Sequence, residues 1–173
     1  MFKTLTDTTS LLGECPVWCE RTERLFWTDI PGCELRALDL TSGEVQRWSL
    51  PESLGSFALT AGEDVLLMGL APCLGYYQLT TGRFSKIAAT PGAPGTRIND
   101  SRCDRMGNFV FSTMDAAEHV QTTSRFHRLN ARNRNARRSR SSDSEQHLAD
   151  LCQSWRAENG QNRTVTTCSN RYR

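Results

Sequence analysis

A pattern of short β-type segments returns along this chain at a nearly constant interval, and few folds accommodate that. Residues 25–30 (Leu-Phe-Trp-Thr-Asp-Ile) are aromatic or branched and read as a strand. Pro31-Gly32 is a turn signal, and residues 34–40 then alternate apolar and polar, as a half-buried strand does. Thr41-Ser42-Gly43-Glu44 turns the chain again, and residues 45–50 resume the alternation. The same order follows downstream in residues 65–70, 76–79, 80–83 and 84–88. Leu79-Thr80-Thr81-Gly82 lies 39 positions after Leu40-Thr41-Ser42-Gly43, close to the ~40–45 residues of one four-stranded propeller blade. A third round starts at residues 108–114 and extends to Phe126-His127-Arg128-Leu129. An antiparallel sandwich with two similar hairpins would give the same period. No stretch before residue 140 has the helical period, which disfavours a βαβ fold.

The 173 residues suffice for one domain with a sizeable core, yet only 38% are apolar. The deficit is concentrated: from Ala131 to Arg173 there is no Ile, Phe, Met or Pro, while Arg recurs throughout. Residues 1–130 are therefore expected to form the β domain, with 131–173 an Arg/Ser-rich tail. A net charge of +2 gives little reason to expect a nucleic-acid or membrane partner. The seven cysteines include no C-x-x-C pair, so neither a disulfide framework nor a zinc site is expected. Reduced thiols, with no signal-like or membrane-spanning apolar run, suggest a cytoplasmic protein. Asn162-Arg163-Thr164 matches a glycosylation sequon of a kind that arises often by chance.

Several strings carry a resemblance. They are Leu12-Gly13-Glu14-Cys15-Pro16-Val17-Trp18, residues 24–32, Leu54-Gly55-Ser56-Phe57-Ala58, Gly95-Thr96-Arg97-Ile98-Asn99-Asp100, Cys103-Asp104-Arg105-Met106-Gly107 and Ser112-Thr113-Met114-Asp115. In this order the chain resembles the senescence marker protein, gluconolactonase and regucalcin-like family of six-bladed propellers, from about residue 10 to 118 with an echo to 130. The resemblance implies an all-β fold, a partial six-bladed β-propeller of about two and a half to three blades. It also implies metal-dependent hydrolysis of a sugar lactone. The cofactor would be one divalent cation (Ca, Zn, Mg or Mn), and Glu14 matches a first-blade metal ligand. Arg97 and Asn99 match residues that hold the substrate's hydroxyls. A further acidic residue expected after the Thr-Met string falls on Ala117, with Glu118 one step beyond.

The residue types suit that chemistry. A hard cation polarises a lactone carbonyl and lowers the pKa of bound water. Carboxylate and amide oxygens suit such ions. Arg97 offers a fixed fork of donors, and Asn99 both donates and accepts, as a vicinal diol requires. Plainer roles stand beside these. Glu14 can be an exposed loop carboxylate, and Asn99-Asp100 can be a turn bonding its own backbone. Asp104 and Gly107 read as turn residues, Trp18, Trp27 and Trp48 as core, and His119, His127 and His147 as solvated. Ser56 and Ser112 lack a nucleophile-elbow context.

Past Glu118 the family's text fades, and the further blades with their metal-binding Asn and Asp are not seen. Three accounts of residues 131–173 compete: out-of-frame text, a disordered Arg/Ser tail able to bind RNA or acidic surfaces, or a short helix near residues 145–158. An open arc of a ring exposes a blade face and strand edges. The expected product is marginal and prone to self-association through that face, and this chain alone is not expected to turn over substrate. The rival functions are a calcium-binding or scaffold propeller without activity, and nucleic-acid binding by the tail.

Overall fold

The computed structural model describes residues 1–92, 94–116 and 124–130. Among them there are eleven strands and no helix, arranged as three antiparallel meanders. The first sheet is β1 (Gly13–Cys19), β2 (Arg24–Asp29), β3 (Glu34–Asp39) and β4 (Val45–Ser49), in that order. The second is β5 (Leu54–Leu59), β6 (Val65–Leu70), β7 (Cys73–Gln78) and β8 (Phe84–Ala89). The third is β9 (Thr96–Cys103), β10 (Phe109–Asp115) and β11 (Phe126–Leu129). The expectations for Ala117, Glu118, His119, His147 and the whole of 131–173 fall outside the described residues.

The repeat seen in the sequence is reproduced in the turns. Gly43 and Gly82 both take the left-handed conformation, with φ of 77° and 68°, which glycine adopts without steric cost. Gly43 N–H donates to Asp39 O, and Gly82 N–H to Gln78 O, each at 2.9 Å. Asp39 N–H then bonds Glu44 O, and Gln78 N–H bonds Arg83 O. One turn closes β3 onto β4 and the other closes β7 onto β8, in the same way.

Alternation along the strands builds two cores. Between the first and second sheets, Phe26, Leu35 and Trp48 meet Phe57, Leu66, Met68 and Tyr77. Phe26 stacks on Trp48 at 6.3 Å and meets Phe57 edge-on at 6.4 Å. Between the second and third, Ala58, Leu67 and Leu74 meet Ile98, Phe109 and Phe111. Trp48 is core, as expected, and its indole N–H donates to Leu79 O at 2.9 Å. Trp18 is not: it is 42% exposed, because its register partner is Leu25, on the face of the first sheet turned away from the second. Trp27 is half-buried, with its N–H on Ser10 Oγ. His127 is not freely solvated either, since it stacks on Phe111 at 5.3 Å with Nε2 3.3 Å from Thr113 Oγ1.

The amino-terminal segment is tied to the outer face of the first sheet by one buried carboxylate. Asp29, 1% exposed, accepts the N–H groups of Leu11 and Leu12 and pairs with the Arg36 guanidinium at 2.9 Å. Burial alone would raise the Asp29 carboxyl. The N–H groups of Leu12 and Leu11, the Arg36 charge and the Gly32 N–H outweigh it and hold the group below the ordinary carboxylate range. Asp39 is lowered by the N–H groups of Ser42 and Thr41. Asp104, at the turn before β10, is lowered by the Asn108 side-chain amide and by the N–H groups of Asn108 and Met106. Carboxyls depressed in the folded state stabilise it above their unfolded pKa, near 3.9, and lose that contribution as pH falls through their folded values. Urea midpoints are therefore expected to change little between pH 7 and pH 5 and to drop steeply below about pH 4. Equal midpoints at pH 7 and pH 3 would contradict this account of the three aspartates.

Candidate functional site at the converging first strands

Each sheet begins with the strand that faces its neighbours. β5 lies against both β1 and β9, so the three leading strands run side by side where the sheets converge. Each is bulged against its second strand. In β1 the register shifts between Glu14 and Val17, in β5 between Leu54 and Ser56, and on β10 between the residues opposing Ser101 and Ile98. A bulge leaves one residue unpaired and re-aims its neighbours. The residues so displaced are Cys15-Pro16, Gly55 and Asn99-Asp100, and Cys15 carries the strain of a left-handed φ of 53°.

Polar side chains join the three strands across these bulges. Cys15 Sγ lies 3.2 Å from Ser56 Oγ, and Ser56 Oγ lies 2.6 Å from Ser101 Oγ. Ser56 is fully buried, so this line runs through the interior. Burial raises the Cys15 thiol despite its bonds to Ser56 and Phe57 O, so the sulfur stays protonated near neutral pH and is no nucleophile. The backbones also come very close: a Cβ built on Gly55 would lie 2.0 Å from Ile98 O.

The three residues singled out in the sequence lie on these strands. Glu14 is exposed on β1 opposite Thr28. Arg97 is half-buried on β9, opposite Met114, with one guanidinium N–H on Ile98 O at 3.0 Å. Asn99 is exposed at the β9 bulge. Burial lowers the Arg97 pKa, and the negative charge of Glu14 opposes that shift. The structure thus brings Glu14 and Arg97 within electrostatic reach across strands that are far apart in sequence. Asn99-Asp100 is also a bulge whose groups serve their own backbone, since Asp100 Oδ1 accepts the Ser101 N–H.

Pattern analysis did not single out Ser56, Ser101 or Cys15 as a connected line. Cys15 and Ser56 lie within strings quoted for the resemblance, which was the signal available. Among the described residues no group of three or more His, Cys, Asp or Glu could hold a metal ion. Glu14 is a single carboxylate within electrostatic reach of a cation, Arg97, and the described residues do not by themselves make a cation site.

Repeated antiparallel sheets whose bulged first strands meet at a polar centre define an all-β protein of the repeat-built kind. The chain belongs to the SMP-30/Gluconolactonase/LRE-like family, which matches residues 12–144. That match extends beyond residue 130, where the resemblance read from the motifs ends. The L-arabinolactonase of Azospirillum brasilense is 43% identical over 128 residues, covering 73% of this chain and 43% of that protein. The 6-deoxy-6-sulfogluconolactonase of Pseudomonas putida is 39% identical over 61% of this chain and 36% of its own length. Among solved structures, a calcium-binding protein, regucalcin, from Agrobacterium tumefaciens superposes with a TM-score of 0.66 at 25% identity, covering 72% of this chain and 42% of that one. The chain spans less than half the length of each of these proteins.

Proposed function

We propose that this chain is the opening part of a six-bladed propeller that hydrolyses a sugar lactone, with Glu14 one ligand of a divalent cation and Arg97 and Asn99 holding substrate hydroxyls. The observation that carries the reading is the convergence of Glu14 and Arg97 on bulged first strands, where Glu14's charge acts on the guanidinium. Lactonases among the relatives support a sugar lactone as the substrate class. A cation, when bound, would polarise the lactone carbonyl. The remaining oxygen ligands would have to come from beyond the described residues, so no step is assigned to the metal here. Arg97 has donors left after its bond to Ile98 O, enough to fix two adjacent oxygens in a plane. Asn99, exposed beside it, can donate to one hydroxyl and accept from the next.

The test uses both this chain and a complete relative. With Ca, Mg, Mn or Zn supplied, the 173-residue chain is expected to show no lactone turnover, because one carboxylate does not retain a catalytic ion. In the Azospirillum lactonase, changing the glutamate aligned with Glu14 to Gln is expected to lower turnover by more than the ~10–100-fold that loss of an outer-shell partner costs. Unchanged turnover there would remove Glu14 from the cation site. The likeness to a calcium-binding protein favours a second reading, a propeller that binds the ion without hydrolysis. Cation binding by an intact relative without lactone turnover would select that reading.

A further inference from the structure

The bulge of β5 touches both neighbouring sheets, residue by residue. Leu54 O accepts the Thr28 hydroxyl of the first sheet at 2.8 Å. Gly55 lies against Ile98 O of the third sheet, close enough to leave no room for a Cβ. Ser56 Oγ meets the first sheet at Cys15 Sγ, 3.2 Å away, and the third at Ser101 Oγ, 2.6 Å away. Thr28, Leu54 and Ser56 are all fully buried. A hydroxyl in the interior costs free energy unless its hydrogen bonds are made, and both of these hydroxyls spend theirs on a different sheet. The contacts also bracket the candidate site. Thr28 is the register partner of Glu14, and Cys15 follows Glu14 in the chain. The left-handed φ of Cys15, 53°, is a strain that persists only where its surroundings over-determine it. Its Sγ contacts with Ser56 Oγ and Phe57 O supply that restraint. On β9, pairing resumes at Ser101 directly after Asn99-Asp100, and Asp100 Oδ1 accepts the Ser101 N–H.

We propose that Ser56 is a positioning residue of this site: its hydroxyl fixes how far the Glu14 strand stands from the strand of Arg97 and Asn99, with Thr28 on Leu54 O as a second fastening. The proposal rests on the reading of Glu14, Arg97 and Asn99 as one site, and adds what sets the width of that site. Ser56 acts through its neighbours, Cys15 on β1 and Ser101 on β9. One serine hydroxyl has a proton to donate and lone pairs that accept, so it can hold both neighbours at once. The apolar cores hold the sheets together through contacts such as Phe26 with Phe57 and Ala58 with Ile98. That attraction is non-directional and does not choose a register. Hydrogen bonds weaken steeply with distance and angle, and a binding constellation works only when held within about 0.5 Å of its productive geometry. The buried hydroxyls supply that precision where the three leading strands meet.

The test reads the interaction of Glu14 with Arg97 in the full 173-residue chain. With isotope-labelled arginine, the Arg97 Nε–H magnetic-resonance signal is assigned by its loss in Arg97→Lys. Glu14→Gln should displace that signal, because the carboxylate charge acts on the guanidinium. The same displacement is then measured in Ser56→Ala, Ser101→Ala and Ser101→Thr backgrounds. It should fall roughly twofold or more in both alanine variants, since the interaction halves when the separation or the effective dielectric doubles. Ser101→Thr keeps the hydroxyl and should keep the displacement. Thr28→Val, which removes a hydroxyl at constant shape, should reduce it, and Thr28→Ser should not. Ser101 is half-buried, so its variants answer the question even where the interior change at Ser56 unfolds the chain. No displacement in the parent, an undiminished one in the alanine variants, or an equal fall in Ser101→Thr would overturn the proposal. If the Azospirillum lactonase kept full turnover without its aligned glutamate while the hydroxyl variants still uncoupled Glu14 from Arg97, the positioning role would stand and the catalytic reading would fail.

Discussion

Gly55→Ala is expected to cost about 3 kcal/mol or more, at the upper end for overpacking a rigid interior. Its backbone is not in the left-handed region, so the requirement is for space alone. The added Cβ would lie 2.0 Å from Ile98 O and 2.7 Å from Ile98 C, both backbone atoms of a fully buried residue on β9. Relief requires moving β9, and with it the Ser56–Ser101 bond and the approach of Arg97 to Glu14. Gly69→Ala is the control. Its Cβ would meet Ile98 Cδ1 at 2.6 Å, the far end of a side chain that can rotate away. Urea unfolding followed by tryptophan fluorescence should therefore separate the two variants by roughly 2 kcal/mol. Equal losses would mean that the close contact of β5 with β9 does not limit the packing.

Asp29→Ala is expected to cost about 3 kcal/mol, near the lower end for removing one partner of a buried pair. The variant leaves the N–H groups of Leu11 and Leu12 without their acceptor and Arg36 with less compensation. Glu34, 2.7 Å from Arg36 Nε, remains as a second partner and keeps the loss from being larger. Release of the amino-terminal segment supplies a separate readout. Tryptic cleavage after Lys3 and at Arg21 should accelerate in the variant at urea concentrations where the parent is intact. Asp29→Ala combined with Arg36→Met should recover part of the loss, because the second change removes the orphaned charge. If the single variant matched the parent in both assays, the carboxylate would not be what fastens this segment.

Eight of the strands could be read from the sequence, and the three that carry the candidate site could not be read from alternation. β2, β3, β4, β6, β7, β8, β10 and β11 alternate or run apolar between turn signals, as residues 65–70 do along the whole of β6. β1 contains Pro16, β5 contains Gly55, and β9 reads Thr-Arg-Ile-Asn-Asp-Ser-Arg-Cys with little apolar content. Each is bulged, and a bulge shifts the two-residue period by one, which erases the alternation a reader looks for. The family strings covered much of these strands and so marked them by another route. Trp18 and His127 show the same limit. Their types suggested core and solvent, whereas cross-strand register placed Trp18 on the outward face and His127 against Phe111.

The sequence alone determined the β character, the 39-residue spacing and the glycine turns at Gly43 and Gly82, because alternation and left-handed glycines are local properties of a few neighbouring residues. Only the tertiary structure decided that Cys15, Ser56 and Ser101 form one line and that Glu14 acts on Arg97. Those contacts join residues about forty or more positions apart. They arise from how sheets stack through Phe26, Phe57, Leu74 and Phe109, and the period within any one strand does not encode that packing.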